Sequence, residues 1–157
     1  MPRTTRDLMQ THVISVQPET PLLDAQRLLV EEEIHAAPVV DDEGTLLGVI
    51  SAIDILRAAA EEHEAGASQP IYFREELAYS GPDWANMPQD FQDRLAQLTV
   101  ADAMTQGVVT VTEDTPIAEV AGVLRSRRIH RVFVVREGFL SGVLSTFDLL
   151  SILEKEG

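Results

Sequence analysis

The feature that most constrains the fold is an internal duplication of the 157-residue chain. When the sequence is laid over itself with Asp7 on Asp102, matching residues recur along residues 5–56 and 99–150, with a one-residue gap near Glu43. Roughly a third of the aligned positions are identical, which is typical of a tandem structural repeat. The clearest matches are Met9 with Met104, Thr20-Pro21 with Thr115-Pro116, Ile34-His35 with Ile129-His130, Gly48-Val49 with Gly142-Val143, Ser51 with Ser145 and Asp54 with Asp148. A unit of about 50 residues cannot bury both faces of a sheet alone, so the two copies are expected to pack together.

Each copy predicts the element order β-α-β-β-α. Short β-branched runs at Val13–Val16 and Val108–Val111 predict the first strands. Thr20 and Thr115 are predicted to cap the helices that follow, with Pro21 and Pro116 at the first helical positions. The remaining predicted elements are strands at Ala37–Asp41, Leu46–Ser51, Arg131–Arg136 and Leu140–Ser145, and final helices from about Ala52 to Glu62 and from Thr146 to Glu154.

The stretch between the copies is rich in aromatic side chains. They are Tyr72, Phe73, Tyr79, Trp84 and Phe91. Aromatic residues at this density usually pack against something, so we expect the insert to pack on the repeats or across a dimer. After Pro88, the residues Phe91, Leu95 and Leu98 fall on one face of a predicted helix.

Composition excludes several classes of protein. The net charge of −14 argues against a nucleic-acid-binding surface, which needs a basic patch. The absence of cysteine excludes a disulfide scaffold, a thiolate nucleophile and Cys-ligated metals. No apolar run is long enough to span a membrane or to serve as a signal-peptide core, so a cytoplasmic protein without a membrane partner is expected. In this acidic chain, Arg125, Arg127, Arg128 and Arg131 are concentrated in one place, which suggests that a small anion binds there.

The two copies resemble the cystathionine β-synthase (CBS) domain pair, or Bateman module. The resemblance rests on Met9 through Val16, Ile34 through Val40, Gly48 through Asp54, Ile129-His130-Arg131 and Gly142 through Asp148. It covers repeat 1 at residues 5–58 and repeat 2 at residues 99–153, with an insert at 59–98. It implies an α/β (α+β) fold in which two β-α-β-β-α repeats pack with pseudo-twofold symmetry around two clefts. It also implies adenosine-type ligands and a homodimer.

The first candidate site motif is Ser-x-x-Asp at a predicted strand-to-helix junction, present as Ser51…Asp54 and Ser145…Asp148. The resemblance implies that each Asp accepts hydrogen bonds from ribose hydroxyls, helped by the Ser and by Thr146. A carboxylate is an acceptor that can hold a vicinal diol. The same spacing also describes a helix capping box, so ligand binding and capping both remain open.

The second motif is Ile-His-Arg in repeat 2, against Ile-His-Ala in repeat 1. By resemblance, basic residues here meet the phosphates, which assigns this role to His130 and Arg131, and to His35 in repeat 1. Arg131 can grip a phosphate with two parallel hydrogen bonds. Ala36 stands at the corresponding position of repeat 1, so we expect one well-equipped site in repeat 2 and one weak or empty site. The arginines at 125, 127 and 128 also suit the negative end of a helix dipole.

No catalytic motif is present, and no catalytic residue is predicted. The histidines His12, His35, His63 and His130 show no metal-ligand spacing, so no metal site is predicted either. The leading hypothesis is a stand-alone, non-enzymatic regulatory module that binds AMP, ADP or ATP and signals to a partner protein. The alternatives are a ligand-free dimerisation or adaptor protein and a divalent-cation (Mg²⁺) sensor. The sequence does not distinguish the adenosyl ligand, the partner or the dimer orientation.

Overall fold

The computed structural model describes residues 3–60 and 89–156, and the side chains through residue 154. Repeat 1 contains the helices α1 (Thr5–Leu8), α2 (Leu22–Glu31) and α3 (Ala52–Ala59) and the strands β1 (Ala36–Val40) and β2 (Leu46–Ser51). The insert contributes α4 (Gln89–Gln97). Repeat 2 contains α5 (Val100–Ala103), β3 (Thr110–Thr112), α6 (Ile117–Arg127), β4 (Arg131–Arg136), β5 (Phe139–Ser145) and α7 (Thr146–Glu156). The predicted mixed α/β fold of two repeats is confirmed.

Each repeat has its own sheet and its own apolar core. In repeat 1, β1 pairs antiparallel with β2; in repeat 2, β3 runs parallel to β4, which pairs antiparallel with β5. The core of repeat 2 also takes in Ala36 and Val49 from the sheet of repeat 1. The two sheets therefore share buried apolar surface, as expected for units too small to fold separately.

The N-terminal segment of each repeat crosses to the other repeat. Gln10 pairs with Val143 through two backbone hydrogen bonds of 2.8 and 2.9 Å, and Thr105 pairs with Val49 through two of 2.9 and 2.8 Å. Gln10 and Thr105 occupy matching positions in the duplication. This exchange gives the pseudo-twofold relation and joins the two repeats through main-chain contacts.

The two hairpin tips also pair with each other. Leu46 N donates to Gly138 O, and Leu140 N donates to Gly44 O, each at 3.0 Å. The two contacts are again mutual, so β2 and β5 are each hydrogen-bonded to the opposite repeat at two points along their length.

The strand predicted at Val13–Val16 is wrong in extent: only Val16 forms a bridge, with Val39. Its counterpart in repeat 2 lies at Thr110–Thr112 rather than Val108–Val111. Extending the repeat 1 ladder would need N–H groups at positions 18 and 38, and both are prolines. Because proline has no N–H to donate, the parallel ladder stops on either side of Val16.

The predicted helix caps are displaced by one residue. Pro21 and Pro116 are themselves the cap residues of α2 and α6, and neither Thr20 nor Thr115 caps a helix. The Thr20 hydroxyl accepts from Gln17 N at 3.2 Å, and the Thr115 hydroxyl accepts from Thr112 N at 3.0 Å. Both threonines close the turn that precedes the helix.

The described part of the insert packs on repeat 1. Leu95 of α4 is buried at 1% exposure, and Phe91 and Leu98 pack against the same core. Arg94 donates to the carbonyl of Ala59 at the end of α3. The aromatic residues Tyr72, Phe73, Tyr79 and Trp84, and His63, lie outside the described residues, so their packing stays a prediction.

Candidate functional site

The Ser-x-x-Asp motif of repeat 2 lies where β5 ends and α7 begins. One carboxylate oxygen of Asp148, Oδ2, accepts from Ser145 N at 2.8 Å and from Ser145 Oγ at 3.0 Å. Asp148 N in turn donates to Ser145 Oγ at 3.3 Å. These bonds form a capping box. They hold the half-buried Asp148 side chain in a fixed orientation at the start of the helix.

The basic residues predicted for repeat 2 lie beside this junction. Arg131 is the direct partner of Ser145 in the β4–β5 ladder, and its side chain is exposed. The carbonyl of His130 accepts from Thr146 N at 2.9 Å and from Thr146 Oγ1 at 3.3 Å. The structure thus brings together all five predicted residues of repeat 2. The N–H groups of Thr146 and Asp148 are already bonded within the protein, so neither is free to donate to a ligand.

The side chain of His130 has a polar atom with unmet hydrogen-bonding capacity. His130 Nε2 is buried and makes no hydrogen bond among the described residues. Leaving a buried donor or acceptor unmet costs about 1–3 kcal/mol, so such an atom marks a place where a further polar group is favoured.

The corresponding motif in repeat 1 has the same bonds but is more deeply buried. Asp54 Oδ2 accepts from Ser51 N at 3.0 Å and from Ser51 Oγ at 2.9 Å, and Asp54 is only 9% exposed. Burial raises the pKa of Asp54 above its ordinary value, although the hydrogen bonds from Ser51 and Thr105 oppose the shift. The carbonyl of His35 accepts from Ala52 N at 3.0 Å, and Ala36 pairs with Ser51. Repeat 1 therefore presents a buried acid with no arginine at the position of Arg131.

Two residues that were not predicted from the sequence contact these carboxylates. Gln10 Nε2 donates to Asp148 Oδ1 at 2.8 Å, and Thr105 Oγ1 donates to Asp54 Oδ1 at 3.0 Å. Each comes from the segment that crosses from the other repeat. The duplication already aligned Gln10 with Thr105, but only the crossing of the segments places each beside the other repeat's motif.

The other candidate arginines lie at the C-terminal end of α6, shortly before His130 in the chain. Arg125 and Arg127 are exposed in the last turn of α6, and Arg128 follows in a left-handed conformation.

Among residues 3–60 and 89–156, no group of three or more His, Asp or Glu side chains is placed to hold a metal ion. In the same part of the chain, no helix combines the length and apolar character that crossing a membrane requires.

Comparison with known proteins gives consistent matches along the chain. The gamma subunit of 5'-AMP-activated protein kinase from Kluyveromyces lactis is 28% identical over 150 residues, which is 94% of this chain and 39% of that protein. The chloroplastic CBS domain-containing protein CBSX2 from Arabidopsis thaliana is 32% identical over 135 residues, covering 83% of this chain and 54% of that protein. The chain thus spans between two fifths and about half of these two relatives.

A solved structure and a family profile agree with these relatives. The structure of CBSX2 in complex with AMP superposes with a TM-score of 0.69 at 26% identity, covering 99% of both chains. The profile described as CBS domain matches residues 6–61 and 100–155. These two matched segments coincide with the two copies found in the sequence, and together they make up most of the chain. The chain therefore belongs to the CBS domain family and carries two CBS domains in tandem.

Proposed function

We propose that this protein is a non-catalytic regulatory module that binds an adenosine nucleotide, AMP, ADP or ATP, in repeat 2. The units are residues 5–58 and 99–153, with 59–98 as the insert. The ribose is held by Asp148 with Ser145 and Thr146, and the phosphate by Arg131 with His130. Binding favours one arrangement of the two repeats and signals occupancy to a partner protein.

The observation that carries the proposal is the arrangement around Asp148. Its carboxylate is oriented by Ser145, is only half-buried, and lies beside the strand position of an exposed arginine. Acceptor and cation at one junction match the two chemically distinct halves of a nucleotide, the diol and the phosphate. A relative at 26% identity, CBSX2, has been solved in complex with AMP, which supports the same ligand class here.

Repeat 1 is proposed as the weaker site. Asp54 is nearly fully buried, and the strand partner of Ser51 is Ala36, where repeat 2 has Arg131. A phosphate there would lack the charge-assisted hydrogen bonds that an arginine at this strand position can donate.

An assembly role is favoured by a separate feature of α7. Phe147, Leu150 and Leu153 lie along one side of this helix and are 82%, 47% and 66% exposed. Exposed apolar patches of this kind mark interaction surfaces. We therefore propose that α7 forms the contact surface of a homodimer. The cytoplasmic location stays a prediction.

Isothermal titration calorimetry on the full chain tests the nucleotide proposal. AMP, ADP, ATP, adenosine and S-adenosylmethionine are titrated separately, with GMP as the base control. Binding of at least one adenosine phosphate, more tightly than GMP, is expected. Absence of heat and of thermal stabilisation with all five adenosyl compounds would contradict the proposal and favour the ligand-free adaptor.

A further inference from the structure

We propose that Gln10 is the specificity-determining residue of the repeat 2 site, because its side chain competes with a ribose diol for Asp148. The inference rests on the proposed function, since it concerns the nucleotide that this site would take. Gln10 belongs to the opposite repeat, and the feature of the sugar that it would control is the vicinal diol.

The carboxylate of Asp148 can accept only a limited number of hydrogen bonds. An ionised carboxylate has about four acceptor positions, two on each oxygen. The two bonds from Ser145 occupy Oδ2. Gln10 Nε2 occupies one position on Oδ1 at 2.8 Å. With the donors of residues 3–60 and 89–156 counted, one position is left, whereas a vicinal diol that donates from both hydroxyls needs two. A ribose can therefore bind through both hydroxyls only when Gln10 withdraws.

The Gln10 side chain is able to withdraw while its backbone stays in place. Its main chain is fixed by the two hydrogen bonds to Val143, but its side chain is exposed. Ordering a long glutamine side chain costs rotamer entropy, which offsets much of what the hydrogen bond contributes. The bond to Asp148 is therefore one that a ligand can displace.

The matching residue of repeat 1 does not have this freedom. Thr105 donates to Asp54 from a short, β-branched side chain, whose rotation about χ1 is restricted. It is half-buried, and its backbone is paired to Val49 in both directions. Asp54 and Asp148 thus accept the same number of hydrogen bonds from the described residues. The Gln10 side chain can move away from Asp148, whereas Thr105 is held beside Asp54. Repeat 2 is therefore the repeat in which a ligand can displace the donor.

The test compares AMP with 2′-deoxy-AMP, which has one sugar hydroxyl fewer, in wild-type protein and in Gln10→Ala. The variant frees the fourth acceptor position, so AMP is expected to bind about fivefold more tightly, as expected for loss of one competing hydrogen bond. The affinity for 2′-deoxy-AMP should change much less, because one hydroxyl needs only the position already free. Gln10→Thr copies the donor of repeat 1 and should bind AMP more weakly than wild type.

Gln17→Ala is the matched control. Gln17 Nε2 donates to Asp42 Oδ1 at 2.9 Å in an exposed amide–carboxylate contact that takes no part in the site. This variant should bind AMP like the wild type. In NMR spectra, the side-chain amide signal of Gln10 is identified as the one that is missing from Gln10→Ala. This signal should shift when AMP is titrated into the wild type.

The outcomes separate the inference from the function on which it rests. If wild-type protein binds AMP and Gln10→Ala binds it no more tightly, or more weakly, Gln10 does not compete and the inference is wrong while the proposed function stands. If neither protein binds any adenosine phosphate, the proposed function fails and the inference falls with it. A gain for AMP and 2′-deoxy-AMP alike would also overturn the role in ribose recognition.

Discussion

Asp54 and Asp148 close equivalent capping boxes in the two repeats, but their surroundings differ. Each accepts two hydrogen bonds from the serine three residues earlier and a third from a residue of the opposite repeat. Asp54 is 9% exposed, whereas Asp148 is half-buried beside the exposed Arg131. The duplication has therefore kept the capping box in both repeats, with the aspartate of repeat 2 more exposed than that of repeat 1.

Replacing Arg131 tests the assignment of the phosphate. Arg131→Ala should weaken AMP binding about tenfold or more, because a charge-assisted hydrogen bond contributes roughly 1.5–3 kcal/mol. Adenosine has no phosphate, so its affinity should be nearly unchanged. Arg136→Ala is the control, since Arg136 is exposed at the other end of the same strand. If calorimetry shows equal losses of affinity for AMP and adenosine, Arg131 does not contact the phosphate.

The buried carboxyl of Asp54 predicts a pH dependence of stability. Because burial raises the pKa of Asp54 above 3.8, the folded protein binds this proton more tightly than the unfolded chain. The protonated carboxyl therefore stabilises the fold below pH 3.8. This contribution is lost as the pH rises through the pKa that Asp54 has in the folded protein. The free energy of unfolding of the wild type, measured relative to Asp54→Asn in urea, should fall as the pH rises above 3.8 and then level off. A difference that stays constant with pH would contradict this account.

The crossing of the repeats depends on two glycines. A Cβ at Gly142 would lie 2.6 Å from Gln10 O, and one at Gly48 would lie 2.6 Å from Thr105 O. Gly142→Ala should therefore lower the free energy of unfolding by about 1–3 kcal/mol, because the backbone of the crossing segment has to move.

The third glycine of this comparison serves as its control. A Cβ at Gly122, within α6, would meet no atom within 4 Å. Gly122→Ala should stabilise the protein by up to about 1 kcal/mol through helix propensity. If urea denaturation finds Gly142→Ala as stable as Gly122→Ala, the close approach of Gly142 to the backbone of Gln10 is not needed for stability.

The apolar side of α7 predicts an assembly interface. Leu150→Ser should shift a dimer towards monomer in analytical ultracentrifugation at micromolar concentration. Val30→Ser is the matched control, because Val30 is 48% exposed and Leu150 47%, but Val30 lies at the end of α2. A wild-type protein that sediments as a monomer would contradict the interface, and so would equal effects of the two substitutions.

The sequence predicted most of the fold because the duplication supplied each element twice. Its errors have identifiable causes. The strand at Val13–Val16 was over-extended because the effect of Pro18 and Pro38 on the ladder depends on which residues pair. Thr20 and Thr115 were misplaced as helix caps because each closes the preceding turn instead.

The candidate site was partly predictable. The capping boxes at Asp54 and Asp148 follow from a three-residue spacing, which is a local property. The contacts of Gln10 and Thr105 depend on the crossing of the two segments between repeats, which no local pattern encodes. The difference in burial between the two acids likewise arises only from packing.

Calorimetric titration of AMP into Asp148→Asn and Asp54→Asn tests directly whether the nucleotide binds in repeat 2. Asparagine keeps the shape of the carboxylate and most of the cap, but it loses acceptor positions needed for a diol. The account predicts that Asp148→Asn weakens AMP binding roughly tenfold or more, while Asp54→Asn changes it much less. Equal losses in the two variants, or no nucleotide binding by the wild type, would contradict the assignment of the ligand to repeat 2.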